Sequence, residues 1–254
     1  MNDFRKYATK HLGINGLVFD EVVSSQAQYL NPYILEERQL NVTQMDVFSR
    51  LMMDRIIFLG TQIDDYTANT LQAQLLYLDS VDPGKDVSIY INSPGGSVLA
   101  SEQIKEQLDS LKAVKPLIAS YGDYAASGGY WISNNCDKIY SDALTLTGSI
   151  GVFSIVPEFS KTLKNVAHVN VQSVSSNKHG DLMSCMRPFD ADELAYMQKP
   201  VEQIYEKFTS VVAEGRDMPV SKVDEIGQGR VWTGVEALHI GLVDEIGTLS
   251  DAIS

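Results

Sequence analysis

Short apolar runs and longer stretches with helical spacing take turns along most of the chain. Residues 55–60 read as a buried strand ending in a turn. Asp64 and Asp65 offer caps for a helix in which Ala68, Leu71, Leu75 and Leu78 mark one face. Asp82-Pro83-Gly84-Lys85 breaks that helix before a strand over 87–91. The turn Asn92-Ser93-Pro94-Gly95-Gly96-Ser97 follows, then a helix over 98–111 carrying Ile104, Leu108 and Leu111 inward. Short strands are predicted at 116–120, 138–140 and 147–153, and alternation around His168 and Asn170 predicts one more over 166–174. Residues 175–188 are polar and without period. Asp190 and Glu193 then make a capping-box pair for a long helix. Its apolar stripe is Leu194, Met197, Val201, Ile204, Phe208 and Val211, and Pro200 lies inside, where it should kink the helix. Residues 225–254 repeat the pattern on a small scale, with Gly241 placed to end a short helix. Strands alternating with helices predict an α/β fold with a mainly parallel sheet. Residues 1–40 lack periodicity and read as an N-terminal arm ahead of a single domain over 41–254.

Composition narrows this little. A chain of 254 residues, 44% hydrophobic and 21% charged, can bury the core of an ordinary globular domain. The formal net charge of -13 argues against nucleic acid and against anionic membrane surfaces, since both need basic patches. Cys136 and Cys185 form neither a metal-like spacing nor a disulfide framework, so no metal or cofactor is expected. No apolar run reaches bilayer length and no signal peptide opens the sequence, which makes the cytoplasm the expected compartment.

Candidate chemistry centres on Tyr124-Ala125-Ala126-Ser127-Gly128-Gly129-Tyr130-Trp131. Small residues on both sides leave the Ser127 hydroxyl uncovered and let another backbone approach. Apolar residues follow at once, so Ser127 is expected to open a helix, at the end where negative charge is favoured. The Pro-Gly-Gly turn can bring a free backbone N–H to the same point. A nucleophile with backbone donors is the minimum set for acyl transfer. The competing reading makes Ser127 a helix cap and the glycines turn punctuation.

These motifs resemble two related families of serine peptidases. Phe48-Ser49-Arg50-Leu51-Met52-Met53-Asp54-Arg55-Ile56-Ile57-Phe58-Leu59-Gly60, leading into Ile91-Asn92-Ser93-Pro94-Gly95-Gly96-Ser97, makes residues 1 to about 97 similar to a Clp protease proteolytic subunit. From about 88 to 254 the chain resembles a signal peptide peptidase of the SppA type. That likeness rests on Ala126-Ser127-Gly128-Gly129-Tyr130-Trp131-Ile132-Ser133, on Leu146-Thr147-Gly148-Ser149-Ile150-Gly151-Val152-Phe153 and on Gly229-Arg230-Val231-Trp232-Thr233-Gly234. The patterns cross near 92–98. The resemblance implies a Clp/crotonase-like α/β spiral, a nucleophile at Ser127, and an oxyanion hole from the N–H groups of Gly96 and Gly128. It further implies a lysine base supported by a hydroxyl at Ser149.

Lys178 is the candidate lysine, in Ser176-Asn177-Lys178-His179-Gly180-Asp181-Leu182-Met183, although matching on Asp181-Leu182-Met183 sets the family's lysine at or near Gly180. Such a base must be neutral, so burial has to pull its pKa down from ~10.4. His179, oriented by Asp181, is the alternative base; His11, His168 and His239 read as structural or exposed. The expected function is a serine endopeptidase acting on extended peptides. The alternatives are an inactive scaffold of the same fold and, last, acyl-CoA chemistry. Both families work as rings, so a homo-oligomeric ring is expected, with a ring ATPase unfoldase as a further partner through an axial-loop-like segment, Tyr33-Ile34-Leu35-Glu36-Glu37-Arg38-Gln39-Leu40.

Overall fold

The computed structural model describes residues 33–38, 41–81 and 85–254. The chain divides into two compact units between Asp54 and Arg55. In the first, β1 (Tyr33–Arg38) and β2 (Asn41–Asp46) form an antiparallel hairpin, with Tyr33 opposite Asp46 and Arg38 opposite Asn41. Residues 1–32 of the expected arm and 39–40 of the axial-loop-like segment lie outside the described residues. Helix α1 (Val47–Met53) follows at once, because the Asp46 carboxylate accepts the Ser49 N–H at 3.0 Å.

The second unit runs β3 (Ile56–Leu59), α2 (Asp65–Ser80), β4 (Val87–Ser93), α3 (Val98–Lys112), β5 (Leu117–Ala126) and α4 (Gly128–Ser133). Then come β6 (Lys138–Ser141), β7 (Leu146–Gly148), α5 (Ser160–Asn165), α6 (Ala191–Gly215), α7 (Val220–Ile226), β8 (Val231–Thr233), α8 (Gly234–His239), β9 (Glu245–Ile246) and α9 (Leu249–Ala252). Strands β3, β4, β5, β6 and β9 lie side by side in that order, all parallel. Helices join successive strands, as parallel pairing requires. The predicted α2 face is the buried one: Ala68, Leu71, Leu75 and Leu78. The same core holds Ile57, Leu59, Ile89 and Ile91, which lie on the fully buried face of strands whose other face is only partly covered.

Two features of β4 and β5 aim the chain at the site. β5 serves two neighbours: 118–121 pair with β6, and 124–126 pair with β7. On its other side the β4 register shifts between Ile91 and Ser93, and the Asn92 side-chain oxygen accepts the Tyr124 N–H at 3.0 Å across that irregularity. Ser93 is thereby set beside Ala125, two residues ahead of Ser127.

Three expectations need correction. The strand predicted over 147–153 ends at Gly148, because Gly148 and Ser149 both take positive φ (75° and 49°) and turn the chain off the sheet. No strand forms over 166–174: among the described residues no strand pairs with it, and Val166 and Val174 stand 74% and 99% exposed. The α6 stripe is buried only in its second half, at Phe208 and Val211, whereas Leu194 is 60% exposed. The predicted capping box of Asp190 and Glu193 does form, and so does the termination of α8 by Gly241 at φ 83°.

Candidate active site

Ser127 sits between the end of β5 and the start of α4 with φ 51° and ψ -118°, a backbone state that side chains rarely adopt. Flanking chain holds it there: its N–H donates to Gly148 O at 2.9 Å, and its carbonyl accepts from the Trp131 N–H at 2.8 Å. Its side chain makes no capping hydrogen bond. The Ser127 side chain therefore does not act as a cap.

The Pro-Gly-Gly loop is built by its own polar residues and by Ile63. Buried Ser93 accepts the Gly95 N–H at 3.2 Å. Ile63 N donates to Gly95 O (2.9 Å), and Ser97 N donates to Ile63 O (2.8 Å), a single parallel bridge. In such a bridge the residues flanking Gly96 point their groups at Ile63, so the N–H of Gly96 faces the other way. That way lies α4: a Cβ on Gly128 would come 3.2 Å from Gly96 N and 2.5 Å from the Ser101 Oγ. A Cβ on Gly95 would strike Gly128 N at 2.5 Å and the Ser127 Cβ at 2.8 Å. Both glycines are needed because backbone meets backbone there. Among the described residues no acceptor takes the N–H of Gly96 or of Gly128. Two unclaimed donors beside an unclaimed hydroxyl can hold an oxyanion.

Ser127, Gly96 and Ser149 line one open cleft of about 1010 Å³. Gly128 lines a smaller recess adjoining it, again with Gly96 and Ser127. Ser149 is fixed by its N–H to Arg230 O at 2.8 Å, made possible by its positive φ. The far wall comes from residues that sequence reasoning missed: Gln198, Glu202, Tyr205 and Glu206 of α6, Asp224 of α7, and Gln228. The Tyr205 hydroxyl donates to Asp224 at 2.7 Å and accepts the Gln228 N–H at 3.1 Å. Burial, then the Asp224 carboxylate, pushes that phenol above its ordinary value. No local motif signals these residues, which lie 71 or more positions along the chain from Ser127.

Lys178 and His179 are elsewhere. Among the described residues no lysine or histidine lines the cleft. The Lys178 amine is paired with Asp192 at 2.8 Å and Asp190 at 3.5 Å, with its side chain 63% exposed. Its bond to Asp192 raises its pKa, the direction opposite to the one a neutral base needs. His179 Nδ1 lies 3.0 Å from the Glu193 Oε1, not from Asp181 as expected. Asp181 is bound instead by Arg187, whose guanidinium also grips Glu193 at 2.7 Å. These contacts hold the Asp181 carboxyl down at about 2 and the Glu193 carboxyl well below the usual range. His179, Asp190 and Glu193 offer ligand atoms within 4.8 Å of one another, but Arg187 already supplies the positive charge there.

Comparison with known proteins gives this geometry a family. The model described as peptidase family S49 matches residues 109–254, more than half of the chain. The chain belongs to peptidase family S49. A second model, described as Clp protease, matches 38–139, so the two patterns overlap over 109–139. The "ATP-dependent Clp protease proteolytic subunit" of Bacteroides thetaiotaomicron is 45% identical over 97% of this chain and 98% of its own length. Its namesake from Porphyromonas gingivalis is 39% identical over 97% of each. "Protease 4" of Haemophilus influenzae is 40% identical over 67% of this chain but only 28% of its own length. The likeness to the first two extends over both matched stretches of this chain. The protein is thus a serine peptidase of the Clp/crotonase fold. Among the described residues no helix is long and apolar enough to cross a membrane.

Proposed function

We propose that this S49 peptidase cleaves extended peptide segments through an acyl-enzyme on Ser127. The observation that carries this is the hydroxyl left uncapped at a positive-φ bend beside the unclaimed N–H groups of Gly96 and Gly128. The Ser127 oxygen attacks the scissile carbonyl carbon and its proton passes to a base, while the two N–H groups receive the oxyanion. Collapse breaks the C–N bond and the base returns the proton to the departing amine. Water then attacks the ester, releasing the acid product and restoring the serine.

The base in this reading comes from 175–181, Lys178 first and His179 second, with Ser149 holding it at the cleft. Either group must leave its present partner, Asp192 or Glu193, before it can face Ser127. A serine-directed fluorophosphonate tests the whole scheme. It should label Ser127 in the wild type and not in Ser127→Ala, and Lys178→Ala should slow labelling more than His179→Ala does. No labelling of wild type at any protein concentration would sink the reading.

A second reading is favoured by one observation, the lack of lysine or histidine among the described cleft residues. In it the chain is a non-catalytic ring subunit, and the same probe leaves it unmarked. Under either reading we propose a homo-oligomeric ring. The word "subunit" in the relatives' names supports it, as do the exposed Val166, Val174 and Leu194. A ring ATPase partner is part of the proposal on those relatives' names, and a cytoplasmic setting on the free Cys136 and Cys185.

A further inference from the structure

The wall of the Ser127 cleft has a one-sided chemistry. Glu202 and Glu206 stand one helical turn apart on α6, both exposed, and neither pairs with a cation among the described residues. Asp224 adds a third carboxylate, tied to Tyr205. Two nearby cations are engaged elsewhere, Lys207 with Glu102 at 3.2 Å and Lys222 with Glu225 at 3.1 Å, and Lys199, three residues before Glu202 on α6, is not among the residues lining the cleft. Arg230 acts on the Tyr205 phenol from outside the lining residues. Beside the carboxylates the same cleft presents Val152, Phe153 and Val201, with Phe153 83% exposed.

An apolar strip next to free carboxylates fits a side chain with a long aliphatic stem and a positive tip. We infer that the cleft selects peptide segments carrying Lys or Arg close to the scissile bond, with the stem on Val152 and Phe153 and the charge at Glu202 and Glu206. This deepens the proposed function and rests on it, because the carboxylates form the wall of the nucleophile's own cleft. An exposed carboxylate–cation pair is worth about 1.4- to 5-fold in affinity, so two give roughly tenfold at low salt. Salt should screen the effect, the Debye length being about 10 Å at 0.1 M.

The test is peptide binding to full-length Ser127→Ala, which separates this inference from the acyl-enzyme reading. Two capped nine-residue alanine peptides, one with two lysines and one with two glutamates, are compared by fluorescence anisotropy. The lysine peptide should bind about tenfold more tightly in 50 mM salt, and the ratio should fall towards one in 0.5 M salt. Glu202→Gln/Glu206→Gln should abolish the preference, whereas the charge-matched Glu106→Gln/Glu214→Gln should keep it. A ratio within twofold in the parent, or equal loss in both double variants, overturns the inference even if fluorophosphonate labels Ser127. Absence of labelling with the preference intact overturns only the acyl-enzyme step.

Discussion

Gly95→Ala should disable the site while leaving the fold largely in place, and the geometry sets the size of the effect. Gly95 has φ 96°, and an added Cβ would lie 2.5 Å from Gly128 N, 2.8 Å from Ala126 O and 2.8 Å from the Ser127 Cβ. None of these is the tip of a flexible side chain, so the loop itself must move. Reaching ordinary contact requires a shift of about 1 Å, away from Ser127 and against the Ile63 bridge that grips the loop from behind. An oxyanion donor works only at about 2.7–3.1 Å, and losing one costs about 10²- to 10³-fold in rate. The positive φ adds about 1–2 kcal/mol of strain, or a melting temperature lower by roughly 2–8 °C. Gly241→Ala is the control. It has φ 83°, but its Cβ would meet only the movable Met218 Cε, and neither residue lines the Ser127 cleft. Both variants should melt a few degrees early, and only Gly95→Ala should lose fluorophosphonate labelling rate, by about 10²-fold or more. If Gly95→Ala labels within threefold of wild type, Gly96 and Gly128 are not the oxyanion donors.

Arg55 is buried and donates to the carbonyls of Asp86, Val81 and Leu78, so Arg55→Met removes three hydrogen bonds, with Leu78 O still reached by Lys115 at 3.4 Å, and should cost about 2 kcal/mol in urea unfolding. Phe208, 1% exposed with its ring 4.5 Å from that of Trp131, should cost about 3–5 kcal/mol as Phe208→Ala, read from the same transitions. Asp181 and Glu193 have carboxyl pKa values depressed by Arg187, so their stabilising effect is full above the unfolded value near 4 and is lost as pH falls towards about 2. Hydrogen exchange over 175–193 should therefore quicken relative to the rest of the chain between pH 4 and 2, and Arg187→Gln should weaken that dependence, leaving the part due to His179 and the Asp190 N–H on Glu193.

Most of what positions Ser127 is legible locally. The strand over 87–91, the glycine-rich turn and the helix starting after Ser127 all announce themselves through short-range pattern: Val87, Ile89 and Ile91 alternate onto one buried face, and the glycines mark the close approaches. What lines the opposite wall is not legible. Glu202, Tyr205 and Asp224 reach the cleft by the packing of α6 and α7, and their spacing obeys only the helix they sit on. The failed strand at 166–174 is instructive for a different reason. Alternation reports a surface that wants one covered face, and it is silent on where the cover comes from.

That silence bears on the base. A lysine acts as a base near neutral pH only when burial removes water from its ammonium and no carboxylate holds its proton. Lys178 meets neither condition, exposed and bound to Asp192, and the valines at 166, 169, 171 and 174, which precede it in the chain, are exposed too. Covering that segment with another copy of the chain would bury the valines, and it would desolvate Lys178 only if Asp192 is left behind. Activation should then follow assembly: labelling of Ser127 per protomer should rise with protein concentration, in step with oligomer mass by light scattering. Val169→Asp/Val171→Asp should leave the melting temperature of the isolated chain near wild type while abolishing both the oligomer and the labelling. Full labelling of a protein that stays monomeric would refute this and place the base within a single chain.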